Sequence, residues 1–174
     1  MKKILCLLLF IFLVLPVQAV TLEGSVTYTV EQAREEAFKD IEWEIPKQLL
    51  RKHRKDPNYR VHVVAKKYSQ NVLTDRYITF FSDGGYCIMY FDDMYHAFHY
   101  DESGKLESIQ VFTTTQLPYK SYRYGVDGKL QRIFWHISKY KSYAFNPDGT
   151  LYGYWEDDTA YNLKGNVLLK RFNY

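Results

Sequence analysis

The sequence predicts an α+β protein that is mainly β. An N-terminal strand and amphipathic helix lead into an antiparallel meander of repeated hairpins, about ten strands in all. Three observations carry this expectation. The 174 residues include 17 Tyr, 11 Phe and 3 Trp, types that favour a pleated, half-buried surface. Glycines recur through the second half at hairpin-length intervals. One stretch near the start sets apolar residues at helical spacing behind a capping sequence.

Residues 1–19 read as an export signal. Lys2 and Lys3 precede an unbroken apolar run over 4–15, long enough for a signal-peptide core and short for a bilayer span. Pro16 breaks the run, and Val17 and Ala19 take the −3 and −1 positions of a cleavage site. Export makes the protein periplasmic or secreted, with no stable membrane span after signal removal. Without Lys2 and Lys3 the 23 bases become 21 against 20 acids, a net charge of about +1, so charge lends no support to a nucleic-acid partner. Cys6 leaves with the signal. The remaining thiol, Cys87, cannot form an internal disulfide and reads as a small buried hydrophobe.

The organisation that follows is a strand and helix region over 20–58 and a hairpin-repeat region over 59–174, with 20–174 forming one folded unit. Residues 20–29 alternate apolar and polar types, as a short strand does. Thr29 is placed to cap a helix, with Gln32 completing a capping box. Val30, Ala33, Ala37, Phe38 and Ile41 then share one helical face, while Arg34, Glu35, Glu36 and Asp40 take the other. Pro46 ends that helix or starts a second short one with Leu49 and Leu50 as its contacts. The basic run Arg51-Lys52-His53-Arg54-Lys55 reads as a solvated helix end, where cations are favoured. Asp56-Pro57-Asn58 marks a turn, and strands are expected from about Arg60.

The repeat is explicit. Phe98-His-Tyr100-Asp-Glu-Ser-Gly104-Lys-Leu106, Tyr122-Arg-Tyr124-Gly-Val-Asp-Gly128-Lys-Leu130 and Tyr143-Ala-Phe145-Asn-Pro-Asp-Gly149-Thr-Leu151 share one frame. A weaker copy runs from Thr159 through Tyr161 and Gly165 to Val167, and a divergent first copy from Ile78 through Phe80 and Gly84 to Tyr86. Each places an aromatic four residues before Gly and a large apolar residue two after it. The glycines are 20, 24, 21 and 16 residues apart, close to one hairpin each. The physical reason is a chain reversal. Gly149 can take φ > 0 as the bulge residue of a turn, and Leu151 then returns opposite Phe145 as a cross-strand pair. Stacked hairpins would align Tyr100, Tyr124, Phe145 and Tyr161 as an aromatic ladder.

The string over 98–106 resembles the YD repeats of Rhs and teneurin-type surface proteins, and the resemblance spans residues 77–167. The dipeptide itself stands at Tyr100-Asp101, while later copies read Tyr124-Gly125, Phe145-Asn146 and Tyr161-Asn162. The stretch from Tyr143-Ala-Phe145 to Gly153-Tyr154-Trp155 is similar to the aromatic-glycine repeats of bacterial cell-wall-binding modules. MORN-like repeats are a third relative in appearance. These resemblances imply antiparallel hairpins in a binding or scaffolding sheet, with no catalytic residues and no cofactor in the repeats.

Alternation separates two faces. If Phe98/Tyr100, Tyr122/Tyr124 and Tyr143/Phe145 share one face, Tyr95/His99, Tyr119/Arg123 and Tyr140/Ser142 share the other. One helix can cover only one side of so wide a sheet. The open side would then present Tyr95, His99, Tyr119, Arg123 and Tyr140 to a glycan or a protein, since Tyr offers flat apolar area with a polar tip. The competing possibility is that these rings only shield the sheet.

Catalytic and metal sets are not evident. His96 and His99 fall on opposite faces of a strand and make a poor metal pair. Cys87 and His99 face each other across a hairpin turned by Asp92-Asp93, but Cys87 has no cationic sequence neighbour to lower its pKa. Asp157-Asp158 reads as a charged turn. The function expected is that of an exported non-enzymatic protein binding an envelope or extracellular protein or glycan. The alternatives are a structural or self-associating protein and a small hydrolase using Cys87 or the His96/His99 region. An outer-membrane barrel ending at Arg171-Phe172-Asn173-Tyr174 is disfavoured by short strands with charges on both faces.

Overall fold

The computed structural model describes residues 28–62 and 75–173. In order these form α1 (Val30–Ala37), α2 (Lys47–Lys52), β1 (Arg76–Phe81), β2 (Tyr86–Tyr90), β3 (Asp93–Tyr100), β4 (Leu106–Phe112), β5 (Tyr119–Gly125), β6 (Leu130–Ser138), β7 (Lys141–Phe145), β8 (Leu151–Glu156), β9 (Thr159–Asn162) and β10 (Val167–Asn173). The expected export signal lies outside the described residues. So does the expected strand over 20–29, except for Tyr28 and Thr29, which are not in a strand.

Every strand pairs antiparallel with its sequence neighbour, and β1 also pairs with β10 through Thr79–Asn173, Phe80–Phe172 and Phe81–Arg171. The meander is therefore a closed barrel with no free edge, which removes the aggregation hazard of an unpaired strand. Closure corrects the expectation of a sheet with one open side. The five glycine turns lie at one end, and the turns at 91–92, 113–118, 139–140 and 157–158 lie at the other.

The glycine turns share one geometry. The Gly104 N–H donates to the Asp101 carbonyl, and the Asp101 N–H donates to the Lys105 carbonyl. Equivalent pairs close the turns at Gly84, Gly128, Gly149 and Gly165, and all five glycines have φ between 77° and 96°. A side-chain oxygen of Asp or Asn completes each one. Asp101 and Asn162 supply it three residues before Gly, and Asp83, Asp127 and Asp148 one residue before. The acid of the Tyr-Asp string is thus a turn builder.

Register confirms the cross-strand pairs: Tyr100–Leu106, Tyr124–Leu130, Phe145–Leu151 and Tyr161–Val167. These aromatics stand on alternate strands, separated by aliphatic positions such as Ile109 and Ile133. The expected ring-on-ring ladder is instead an aromatic–aliphatic mosaic. It faces outward, yet Tyr100, Tyr124 and Phe145 are at most 1% exposed, because the N-terminal segment covers it.

That segment is a strap around the outside of the barrel. The capping box of α1 forms as expected, with the Gln32 N–H donating to Thr29 Oγ1 at 3.2 Å and the Thr29 N–H to Gln32 Oε1 at 2.9 Å. The helix stops at Ala37, short of the expected face through Ile41, because Asp40 adopts φ 51°. Ala33 and Ala37 are fully buried, and the Phe38 ring meets Phe145 edge-on at 6.1 Å. Pro46 precedes α2, which buries Leu50. Residues 59–62 form a helical turn, where strands had been expected from Arg60, and the first described strand begins at Arg76.

The strap docks twice in the same way. The Ile45 N–H donates to the Gly128 carbonyl and the Leu130 N–H to the Trp43 carbonyl. Eleven residues on, the Asp56 N–H donates to the Gly104 carbonyl and the Leu106 N–H to the Arg54 carbonyl. Consecutive repeats thus hold matching points of the strap. The hydrophobic core lies between strap and barrel, where each fully buried Phe or Ile contributes about 1.5–3 kcal/mol.

Candidate functional site

The face opposite the mosaic turns inward and lines the lumen. Two cavities occupy it, of about 550 Å³ toward the 113–118 and 139–140 turns and about 710 Å³ toward the glycine turns. Arg123, Phe134 and Trp155 line both and divide them. In the smaller cavity the lining mixes His99, Gln110, Arg123 and His136 with apolar and aromatic residues such as Met89, Phe112 and Trp155.

Four side chains form a directed chain across β4, β5 and β6. Arg123 Nη2 donates to Gln110 Oε1 at 3.1 Å, and Gln110 Nε2 donates to Ser121 Oγ at 2.7 Å. Ser121 Oγ lies 2.8 Å from His136 Nε2. The fully buried Ser121 hydroxyl thus accepts from Gln110 and shares a second bond with His136 whose direction follows the imidazole tautomer. Burial, with Arg171 and Arg123 adding to it, pushes the His136 pKa down to about 3, so its ring is neutral. The Arg123 guanidinium also lies 5.1 Å from the Phe134 ring centroid. Burial draws its pKa down from its ordinary value, yet a guanidinium stays charged at neutral pH.

His99 is 9% exposed, and its Nε2 has no hydrogen-bond partner among the described residues, nor does the buried Nε of Arg123. Burial and the neighbouring Arg123 hold His99 well below the usual imidazole range, outweighing an interaction with the Gln110 side chain that favours the charged ring. Cys87 pairs directly opposite His99, as expected from the hairpin. Burial pushes its thiol up to about 12, so the pair is thiol and neutral imidazole.

The structure brings His99, Tyr119, Arg123 and Tyr140 to the smaller cavity, joined by Ser142. Tyr119 packs 4.5 Å from the His136 ring, and Tyr140 stands at the mouth, 58% exposed. Tyr95 is 52% exposed near the rim, outside the cavity wall. His96 points to the outer face and pairs with Asp93 at 2.8 Å. Asp157-Asp158 forms the β8–β9 turn, where Asp158 accepts from Arg171 Nε at 2.8 Å. Sequence reading missed Gln110, Ser121, His136, Trp155 and Arg171. Two-residue alternation along β5 would have found Ser121, and its extension into β4 and β6 would have found Gln110 and His136.

A second polar cluster lies under the strap. Asp56 Oδ2 accepts from Tyr86 Oη at 2.7 Å and pairs with His62 Nδ1, both buried. Burial raises the Asp56 pKa, but the hydrogen bonds from His62 and Tyr86 outweigh it and leave the carboxyl below its ordinary value. This cluster anchors the strap to β2.

Among the described residues no group of three or more His, Cys, Asp or Glu is placed to hold a metal, and no helix is long and apolar enough to cross a membrane. Comparison with protein-family models, curated proteins and solved structures finds no match. The class is therefore defined by the architecture of the described residues: a ten-strand meander barrel with an external strap and a lumen of mixed polar and aromatic lining.

Proposed function

We propose that this is an exported, non-enzymatic binding protein whose site is the smaller lumen cavity. The observation that carries the reading is a cavity of about 550 Å³ whose mouth is bordered by exposed Tyr140 and whose wall holds His99 and a half-buried Arg123 with no ion pair among the described residues. Such a volume, mixing aromatic walls with a few convergent polar groups, suits a small molecule or the projecting end of a glycan. Closure turns the expected sheet face inward, so a broad protein surface cannot lie on it. The charged and apolar pattern of residues 1–19 supports export, and the repeat resemblance supports a non-catalytic role.

Native mass spectrometry of the protein purified from the cells that make it tests the reading. A retained small molecule, lost when Tyr119 and Tyr140 are both changed to Ser, supports it. Capture of a protein with the lumen empty overturns it. Self-association is the second reading, favoured by the exposed Val167, Leu168 and Phe172 of β10, and solution mass against concentration tests it.

A further inference from the structure

Resting on that reading, we propose that the ligand of the smaller cavity is an organic monoanion, a carboxylate with an apolar body, seated on Arg123. Arg123 makes no ion pair among the described residues, whose bridges are Lys39–Glu36, His62–Asp56, Arg76–Asp75, His96–Asp93 and Arg171–Asp158. Glu107, an acid whose field reaches it, is exposed and forms no bridge with it. Arg123 is half-buried on the cavity wall, and a partly desolvated cation without a counter-charge gains from an anion entering the cavity.

The donors are arranged for the task. Gln110 holds one edge of the guanidinium through Nη2 and fixes its plane, leaving Nε buried and without an acceptor. His99 stands on β3, two strands from Arg123 on β5, with Gln110 between them on β4. Its Nε2 is likewise buried and without a partner. His99 lines the same cavity as Arg123, and the guanidinium is the group there that can make a charge-assisted bond to a carboxylate.

Charge number selects among anions. Arg171, the other guanidinium lining the cavity, is already matched by Asp158. One uncompensated positive charge remains at the floor, which suits a carboxylate better than a doubly charged phosphate. Above it the walls are apolar or aromatic, with Met89, Phe112, Tyr119 and Trp155, so the ligand carries a hydrocarbon or aryl body. Lys139 and Lys141 at the mouth outnumber Asp157 and favour the approach of an anion.

The test is calorimetric titration of the full protein, at fixed ionic strength and neutral pH, with octanoate, octan-1-ol, benzoate, benzyl alcohol and inorganic phosphate. Each carboxylate is expected to bind at least tenfold tighter than its alcohol, with phosphate weaker than either acid. Arg123→Gln is expected to remove that preference, and octanoate is expected to raise the melting temperature of the wild type only. The comparison of acid with alcohol on the wild-type protein needs no variant, so it stands even if R123Q fails to fold. Equal binding of acid and alcohol overturns the anion assignment and leaves the lumen-binding reading intact. Tighter binding of phosphate overturns the organic class alone. Binding of no probe overturns both.

Discussion

Tyr124 Oη donates to the backbone carbonyl of Glu42 at 2.7 Å, tying a repeat position of the barrel to the strap that covers it. Tyr122 does the same to Asp40 at 3.1 Å, and in the opposite sense Tyr59 of the strap reaches the Glu102 carbonyl at 2.9 Å. These bonds give Tyr124 and Tyr122 a use for the hydroxyl that Phe would lack, whereas the Tyr100 hydroxyl is buried with no partner among the described residues. The ring packs in the core, and the hydroxyl satisfies a carbonyl of irregular backbone. Tyr124→Phe therefore loses one hydrogen bond and leaves a carbonyl without its partner, a cost of about 1–2 kcal/mol. Chemical denaturation should show it, and Tyr154→Phe on the strap-free side of the barrel should be near neutral.

Two glycines in equivalent turns should respond differently to alanine. Gly104 and Gly165 both have positive φ, 77° and 78°, so each Ala carries about 1–2 kcal/mol of backbone strain. Open space surrounds Gly165, whereas a Cβ at Gly104 would meet Tyr59 Cδ2 at 2.5 Å and its Cβ at 3.2 Å. Gly104→Ala must displace the strap and break the Tyr59–Glu102 bond. Thermal melts should rank G104A below G165A by at least about another 1 kcal/mol.

Acid stability should decline from pH 6.5 downward. The folded pKa of His136 lies at about 3 and that of His99 also below its ordinary 6.5. The unfolded chain therefore takes up these protons first, and stability falls between pH 6.5 and the folded values, by up to about 1.4 kcal/mol per pH unit for each ring. Asp56 acts in the same direction but lower. Its folded pKa is below its ordinary 3.8, so its stabilisation is present above about pH 4 and lost as pH falls through the folded value. Urea unfolding from pH 7 to 4 should give a steep limb in the wild type. His136→Gln should flatten it by one ring's share, and an unchanged slope would show that His136 is not buried neutral.

Cys87 should react slowly with iodoacetamide at pH 8. Its thiol is pushed up to about 12, so only a trace is thiolate at that pH. Labelling is expected to be at least tenfold slower than for the unfolded chain. Rapid labelling of the folded protein would revive the nucleophile pair with His99.

Much of the fold was legible because its determinants are local. Thr29 and Gln32 announce a helix start within one turn of chain, and the spacing of Tyr124, Gly128 and Leu130 announces a hairpin with its cross-strand pair. The site was half legible. Two-residue alternation put His99 and Arg123 on one face, but Gln110 and His136 lie on strands without a repeat aromatic to mark the parity. The end of α1 was missed because the positive φ of Asp40 answers to strap packing, and its composition reads as helix.

The remaining question, whether that face meets solvent or a lumen, has no local answer. It depends on Phe80 meeting Phe172 between the first and last strands, a pairing set by twist and stagger accumulated over ten strands. Turn chemistry and period belong to a few neighbouring residues and can be read from them. Closure belongs to the whole sheet, and it turned an aromatic surface expected to be open into a cavity with an unpaired arginine at its floor.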